Sequence, residues 1–308
     1  MIELFGDYHT HTRYSHGRGT VLDNVLAAKR CGLAEVAITD HGPGHVLFGV
    51  RGEPGLRRLL ADVARCRGEV PGVRVLAGVE ANVVSPGGRL DIPPHLTRRL
   101  DILLAGLHPG VWPRLLADVL PLIAGTPPFA LLSPRLARKA RLANTKALVE
   151  AVCRNDIDIV THPGLRLNID TAELAGACAR RGTALEINSS HGCLTADYVR
   201  VAARYRVDFA ICSDAHSPER VGAFRRGVAI AEQAGLAPER IRNARLPGRR
   251  RAWRRRARLL ALAESARRCP RPLRQPLPRP RQPRSLGRPP RPVPPGRGGN
   301  GTSPQPQP

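Results

Sequence analysis

The sequence lacks the features that mark membrane proteins and proteins organised by cysteine. No stretch reaches about 18 consecutive apolar residues, because the longest candidate, residues 115–132, is interrupted by Asp118 and by prolines. The first residues carry neither the basic segment nor the apolar segment of a secretory signal. The seven cysteines form no Cys-x-x-Cys pair, which argues against a thiolate zinc site or a disulfide framework. We therefore expect a cytoplasmic protein that does not associate with membranes.

The proline and the positive charge are concentrated at the C-terminal end. Residues 246–308 contain 17 arginines, one glutamate and 15 of the 30 prolines. A packed helix or sheet would not tolerate that proline content. The rest of the chain shows no internal repeat and is long enough for a barrel, which commonly folds as one domain of about 200–250 residues. We predict a catalytic domain at residues 1–245 and a disordered Arg/Pro-rich tail at residues 246–308.

Two interpretations of this tail are open. Residues 249–256, Arg-Arg-Arg-Ala-Trp-Arg-Arg-Arg, are suited to weak polyanion binding that falls steeply with salt. The same composition also results from bias in a GC-rich coding sequence, or from a shifted reading frame after about Leu246.

Short apolar runs alternate with longer amphipathic stretches, which is typical of a parallel α/β fold. The pattern predicts strands over residues 3–8, 35–39, 74–79, 101–107, 156–161, 183–188 and 208–212. It predicts helices over residues 20–31, 55–67, 145–154, 171–181, 195–205 and 218–233. Polar residues follow almost every strand, as in a closed barrel whose active site lies at the carboxyl ends of its strands. We predict an α/β fold, a distorted TIM-like (β/α)7 barrel, in which residues 109–144 form a lid or a substrate loop.

Seven of the ten histidines, one glutamate and one aspartate lie at or just after predicted strand ends. These nine candidate metal ligands are His9, His11, His16, His41, Glu80, His108, His162, Asp214 and His216. Residues two apart on a strand share a face, so the pairs His9/His11 and Asp214/His216 can each contribute two ligands to one site. A hydrogen-bonded core histidine is the commoner alternative at any single position. Burying the whole set unpaired would be unfavourable, however, whereas divalent ions would stabilise it. Imidazole and carboxylate without thiolate suit zinc, with manganese or iron as alternatives.

The segments that carry these residues resemble the motifs of the PHP family, the polymerase and histidinol phosphatase domains. The matching segments are Asp-Tyr-His-Thr-His-Thr at 7–12, Ser-His-Gly at 15–17, Ile-Thr-Asp-His-Gly at 38–42, Gly-Val-Glu-Ala-Asn at 78–82, Gly-Leu-His at 106–108, Thr-His-Pro-Gly at 161–164, Leu-Glu-Ile-Asn at 185–188 and Ser-Asp-Ala-His at 213–216. The resemblance spans residues 3–245, fills all nine ligand positions of the family, and is greatest to the YcdX-like phosphatase branch.

This resemblance implies three divalent metal ions and a hydrolase acting on phosphoric ester bonds. By the likeness, His9, His11, Glu80 and Asp214 hold the first metal, Glu80, His108 and His162 the second, and His16, His41 and His216 the third. Glu80 would bridge two metals, and Glu80, Asp214 and His216 are the residues that we expect to act in catalysis. A metal-activated water would attack phosphorus, so no serine or cysteine nucleophile is required.

Other polar residues near the strand ends have open roles. His45, Asn188, Ser189 and His191 are candidates for substrate contact. Asp40 is expected either to orient an imidazole or to form the turn before Gly42. Glu186 lies in a strand interior and could point into the barrel or toward a helix.

Three functions are compatible with these features. The preferred one is a phosphatase for a small phosphorylated metabolite. The second is a phosphodiesterase or 3′-exonuclease, although no polymerase segment is present. The third, of a different class, is a nucleic-acid-binding protein that makes its contacts through the Arg-rich tail.

Deleting residues 247–308 tests the role of the tail. We expect the truncated protein to keep its catalysis, because every candidate ligand precedes residue 217. Retention of RNA and DNA on a filter, measured for the full and shortened chains across a salt series, distinguishes the two interpretations. Unchanged retention after the deletion would contradict an anchor function.

Overall fold

The computed structural model describes residues 2–109, 111 and 134–246. Seven parallel strands lie side by side in sequence order. The strands are β1 Gly6–Asp7, β2 Glu35–Ile38, β3 Arg74–Asn82, β4 Ile102–Gly106, β5 Ile159–Val160, β6 Ala184–Asn188 and β7 Phe209–Cys212. The helices are α1 Val21–Arg30, α2 Gly52–Glu69, α3 Pro94–Thr97, α4 Pro134–Arg154, α5 Thr171–Arg181, α6 Ala196–Ala203 and α7 Arg225–Gln233. The predicted seven-stranded β/α barrel is confirmed.

Two kinds of contact join β1 to β7 and close the barrel. At the carboxyl ends, His11 N–H donates to the carbonyl of Ala215 at 2.8 Å, and Ala215 N–H donates to the carbonyl of His9 at 3.2 Å. Nearer the amino ends, the buried amide of Asn243 takes the place of a strand. Its Nδ2 donates to the carbonyls of Gly6 and Ile211 at 2.8 and 2.6 Å, and its Oδ1 accepts from Ile211 N–H at 3.1 Å.

The apolar side chains form two separate layers, as expected for strands that are buried on both faces. The smaller cluster fills the interior of the barrel and comprises Phe5, Tyr8, Ala37, Leu76, Ile102, Leu104, Ile159, Ala184, Ala210 and Cys212. The larger cluster lies between the strands and the surrounding helices. The interior cluster lies beneath the polar strand ends, so it forms the floor of the site described below.

The helix termini follow local sequence signals. Thr20 and Asp23 form a capping box at the start of α1, and Asp170 caps α5 by accepting from Glu173 N–H. Gly182 ends α5 in the left-handed conformation at φ 59°. These signals fix where α1 begins and where α5 begins and ends.

Most predicted elements differ from the observed ones by a few residues at their ends, and β1 and β5 are much shorter than predicted. Three further differences concern β3, α4 and the last predicted helix. Strand β3 continues to Asn82, because Glu80 pairs with Leu104 and Asn82 with Gly106 in the ladder with β4. Glu80 therefore lies within a strand and not after it. Helix α4 begins at Pro134, 11 residues before the predicted start, since residues 135–144 are mostly good helix formers.

The third difference is the predicted helix at 218–233. It is divided into a 3-10 turn at Pro218–Arg220 and α7. Gly222, at φ 79°, separates them, and its N–H donates to the buried carboxylate of Asp7 at 3.0 Å. The hydrogen bond to Asp7 thus ties this turn to β1, and the helix does not continue through Gly222.

The predicted tail lies outside the described residues except for Leu246, as do residues 110 and 112–133 of the predicted insertion. Within the described ranges, no helix combines the length and the hydropathy that crossing a bilayer requires.

Replacing Asn243 with Ala should destabilise the barrel. The change leaves three buried backbone groups of Gly6 and Ile211 without partners, and we expect a loss of about 2–4 kcal/mol in the free energy of unfolding. Urea denaturation followed by circular dichroism measures this free energy. The control is Gln233→Ala, which removes a side-chain amide from an exposed position. Equal stability of the two variants would contradict the role given to Asn243.

Candidate metal centre

The nine candidate ligands converge at the carboxyl ends of the strands. His9 and His11 follow β1, His41 follows β2, Glu80 lies in β3, and His108 and His162 follow β4 and β5. Asp214 and His216 follow β7, and His16 lies in the loop before α1. The barrel thus brings together residues that are as far apart in sequence as His9 and His216.

Glu80 is the centre of the cluster and is fully buried. One carboxylate oxygen, Oε2, lies 2.8 Å from Nδ1 of His41, 3.2 Å from Nε2 of His9 and 3.7 Å from Nε2 of His11. The other, Oε1, lies 2.8 Å from Nε2 of His162 and 3.1 Å from Nε2 of His108. A single carboxylate therefore faces imidazoles from four different strand ends.

Asp214 faces two of these imidazoles, His9 and His11, across the barrel seam. Its Oδ1 lies 3.3 Å from Nε2 of His11 and 3.6 Å from Nε2 of His9. Both Asp214 and His162 adopt positive φ angles, 54° and 26°. Such angles are unfavourable for residues other than glycine and are concentrated at functional sites.

Three overlapping groups of side chains have the spacing of a metal site. They are His11 with His16, His41 and His216, then His9 with His11 and Glu80, and finally His41 with Glu80 and His108. Each group offers ligand atoms within 4.8 Å of one another. His11 and His41 each belong to two of these groups. The resemblance, in contrast, implies three ligand sets in which each of these histidines belongs to one set. Those sets stay a prediction.

The polar atoms of the cluster fit divalent cations better than hydrogen bonding. Seven of its buried atoms have no hydrogen-bond partner, although several lie within ion-contact distance of one another. They are Nε2 of His9, both ring nitrogens of His11, Nδ1 of His16, Nδ1 of His41, Nδ1 of His108 and Oε2 of Glu80. Buried polar atoms are normally paired, because leaving them unpaired costs free energy. Imidazole and carboxylate are also the donors that transition-metal ions prefer.

Burial and charge divide the imidazoles into two classes. Burial, together with the charge of neighbouring imidazoles, lowers the pKa of His16 and His108 to about 4 and that of His11 well below its usual value. These rings are neutral at pH 7 and have lone pairs to donate. Burial also acts to lower the pKa of His9 and His162, but the carboxylates around them outweigh it and raise both values.

The two carboxylates show the complementary effect. Burial acts to raise the pKa values of Glu80 and Asp214, but the surrounding imidazoles, His9 foremost, outweigh it and hold both well below the usual range. Both groups therefore stay ionised at neutral pH. The negative charge at the centre is balanced by protons on imidazoles or by bound cations.

Two buried aspartates hold the loops that carry ligands. Asp40 accepts hydrogen bonds from the backbone and hydroxyl groups of Thr12 and Ser15, at 2.5 to 3.1 Å. It thereby holds the loop before His16, and within the described part of the chain its hydrogen bonds go to Thr12 and Ser15 and to no imidazole.

Asp91 was not singled out from the sequence. It accepts from Gly44 N–H and from the backbone and amide of Asn82. It packs so closely on Gly42 that a Cβ there would lie 2.4 Å from its carboxylate. The glycines at 42 and 44 were the available signal, since a close backbone approach requires them.

The four candidates for substrate contact have different positions. The His45 ring lies 5.7 Å from that of His41, and Nε2 of His191 lies 3.3 Å from Oδ2 of Asp214 with its side chain 39% exposed. Asn188 is buried and already bonded at both ends of its amide. Ser189 faces α7, since a Cβ at Gly227 would lie 2.5 Å from its hydroxyl. His45 and His191 are thus the two nearest the mouth, and substrate contact stays a prediction for all four.

A β/α barrel with imidazoles and carboxylates gathered at the carboxyl ends of its strands has the architecture of metal-dependent hydrolases. Residues 7–154 match the PHP domain family. A Shewanella sediminis strain HAW-EB3 protein described as "Probable phosphatase" is 32% identical over 252 residues, which cover 77% of this chain and 88% of that protein. The chain therefore belongs to the PHP domain family.

Two further comparisons agree with this assignment. A Thermoanaerobacter sp. strain X514 protein, also described as a phosphatase, is 28% identical over 256 residues, 79% of this chain and 91% of that protein. The structure of a histidinol phosphate phosphatase from Lactococcus lactis subsp. lactis Il1403, in complex with zinc, L-histidinol and phosphate, superposes with a TM-score of 0.52 at 15% identity. The superposition covers 75% of this chain and 94% of that one. At this identity the likeness shows the shared fold alone.

Replacing Glu80 with Gln should remove most of the metal that the protein binds. The change removes the charge that faces five imidazoles, while the shape of the side chain is kept. Elemental analysis of protein reconstituted with zinc and then desalted measures the content, with Glu53→Gln on the surface of α2 as the control. Equal zinc content in the two variants would contradict a central role for Glu80.

Proposed function

We propose that the protein is a phosphatase that acts on a small phosphorylated metabolite with divalent metal ions bound at the Glu80 centre. One observation carries the proposal: seven imidazoles and two carboxylates converge, and seven buried polar atoms among them lack hydrogen-bond partners. Membership of the PHP domain family and the phosphatase descriptions of its relatives support it. The zinc and phosphate bound to the Lactococcus lactis enzyme support the same chemistry.

All nine residues are proposed as ligands, and their number suits three metal ions. His9, His11, Glu80 and Asp214 would hold the first, Glu80, His108 and His162 the second, and His16, His41 and His216 the third. Zinc is the proposed metal, because neutral imidazole is the commonest donor in the set. Manganese or iron would satisfy the same donors.

When bound, such ions supply a water of lowered pKa for attack on phosphorus and positive charge for the phosphoryl oxygens. The protein prepares the site for that charge. Glu80 and Asp214 remain ionised, while His16 and His108 remain neutral donors at pH 7. The rigid loops held by Asp40 and Asp91 keep the ligand atoms in place, which reduces the reorganisation that accompanies reaction.

His191 and His45 are proposed to contact the substrate. Nε2 of His191 lies 3.3 Å from Asp214 while its ring remains partly exposed, so it can donate to a phosphoryl oxygen at the mouth. His45 stands on the opposite side, beside His41 and His108. We also propose that residues 1–245 are the complete catalytic unit, since all these groups lie within them.

The proposal is tested with metal-reconstituted protein and three substrates. Release of p-nitrophenol from the monoester p-nitrophenyl phosphate should exceed release from its bis ester and cleavage of a labelled oligonucleotide. Faster turnover of the diester and the oligonucleotide would favour a phosphodiesterase or 3′-exonuclease instead.

The matched variants are His16→Ala and His95→Ala. His95 lies on the surface, where its ring contacts Glu53 and no proposed ligand. We expect His16→Ala to lose more activity than the roughly 10–100-fold typical of removing a residue that only supports a ligand, while His95→Ala keeps it. Equal activity in both would contradict the proposed site.

A further inference from the structure

Strand β6 contributes none of the nine proposed ligands, yet two of its side chains contact ligands from three other strands. Glu186 is fully buried and points into the barrel. Its Oε1 lies 2.7 Å from Nδ1 of His9. Its Oε2 accepts from the backbone N–H of His162 at 2.5 Å. One carboxylate thus joins the end of β1 to the end of β5.

Asn188 lies two residues further along β6 and therefore on the same face. Its Nδ2 donates to Oε2 of Glu186 at 3.1 Å and to Oδ2 of Asp214 at 3.0 Å. Its Oδ1 accepts from the backbone N–H groups of Ser190 and His191 at 3.0 and 2.9 Å. The amide connects Glu186 to the ligand after β7 and to the loop that carries His191.

We propose that Glu186 and Asn188 form a positioning pair that sets the affinity of the centre for its metals. The inference rests on the metal centre described under the proposed function. It assigns the pair an effect on three ligands, His9, His162 and Asp214, through its hydrogen bonds to them.

The effect on His9 follows from the two nitrogens of its ring. An N–H at Nδ1 that donates to Glu186 leaves the lone pair on Nε2, which faces Glu80 and Asp214. The carboxylate also increases the basicity of that lone pair. Without Glu186, the ring could rotate or adopt the other tautomer, and Nε2 would no longer be presented as a ligand.

The effect on the other two ligands is exerted through geometry. His162 has a φ of 26°, which is unfavourable for a residue with a side chain, and the bond from its N–H to Glu186 helps to hold it there. Asn188 holds Oδ2 of Asp214, which turns Oδ1 toward His9 and His11. All three ligands are thus oriented from one strand.

The test compares Glu186→Gln with Glu35→Gln. A glutamine at 186 keeps the size of the side chain but has one accepting oxygen in place of two, so it cannot satisfy both His9 and His162. Glu35 is a suitable control because it is also buried, lies at the start of β2 and bonds to Tyr8 and Arg74 at 2.8 Å. That position is at the amino end of the barrel, opposite the proposed metal centre.

Zinc affinity is measured by competition with a chromophoric chelator, and ligand geometry by the absorption spectrum of the cobalt-substituted protein. We expect Glu186→Gln to weaken zinc binding roughly 10–100-fold and to change the cobalt spectrum. Glu35→Gln should leave both unchanged, whatever it does to the melting temperature. Equal zinc affinity in the two variants, with a lower melting temperature for each, would show a merely structural role and overturn the proposal.

A second variant covers the case in which Glu186→Gln does not fold. Asn188→Ala removes only the link to Asp214 and to the His191 loop, and we again expect weaker zinc binding. Wild-type affinity in folded Asn188→Ala, or absence of zinc binding by the wild-type protein, would overturn the proposal. Neither measurement needs a substrate. A wild-type protein that binds zinc but hydrolyses no phosphate ester would therefore contradict the phosphatase function alone.

Discussion

The negative charge of Glu80, buried among imidazoles at the end of the barrel, is the constraint on which the rest of the site depends. Removing a carboxylate from water is costly unless positive charge and hydrogen-bond donors surround it. The positive charge near Glu80 can come from protonated imidazoles or from bound cations. The pKa values of His9 and His162 are raised, so these rings hold protons more tightly than usual, while those of His11, His16 and His108 are lowered, so these rings are neutral donors. Protons and metal ions thus compete for the same cluster, and the neutral rings favour the metals.

The loops around this charge are fastened by other buried carboxylates. Asp7 accepts from Ser213 and Gly222, Asp40 from the loop before His16, and Asp91 from the loop after His41. In each case a side chain satisfies backbone N–H groups that no strand or helix satisfies. Flexible connections become rigid in this way, so the entropy of ordering the ligands is lost when the protein folds and not when a metal binds.

The sequence predicted the architecture, and it predicted that the nine candidate ligands would converge, because both depend on the spacing of residues along the strands. Alternating apolar runs located the seven strands, and the polar residues after them identified the cluster. Side-chain direction was harder to predict. Glu186 lies in a five-residue strand buried on both faces, so hydrophobicity does not distinguish its inward from its outward positions. The sharing of His11 and His41 between groups depends on loop conformations, and the role of Asp91 depends on a contact between segments 47 residues apart.

The closing seam has a consequence for how the protein is made. His9 and His11 are synthesised early, but the strand end that completes their surroundings, with Asp214 and Ala215, is more than 200 residues away in the chain. Contacts of such long range form late in folding, after the loop between them has closed. An incomplete nascent chain therefore presents isolated pairs of histidines with weak affinity for cations. The assembled cluster arises only after the last barrel strand, which ends at Cys212, has left the ribosome.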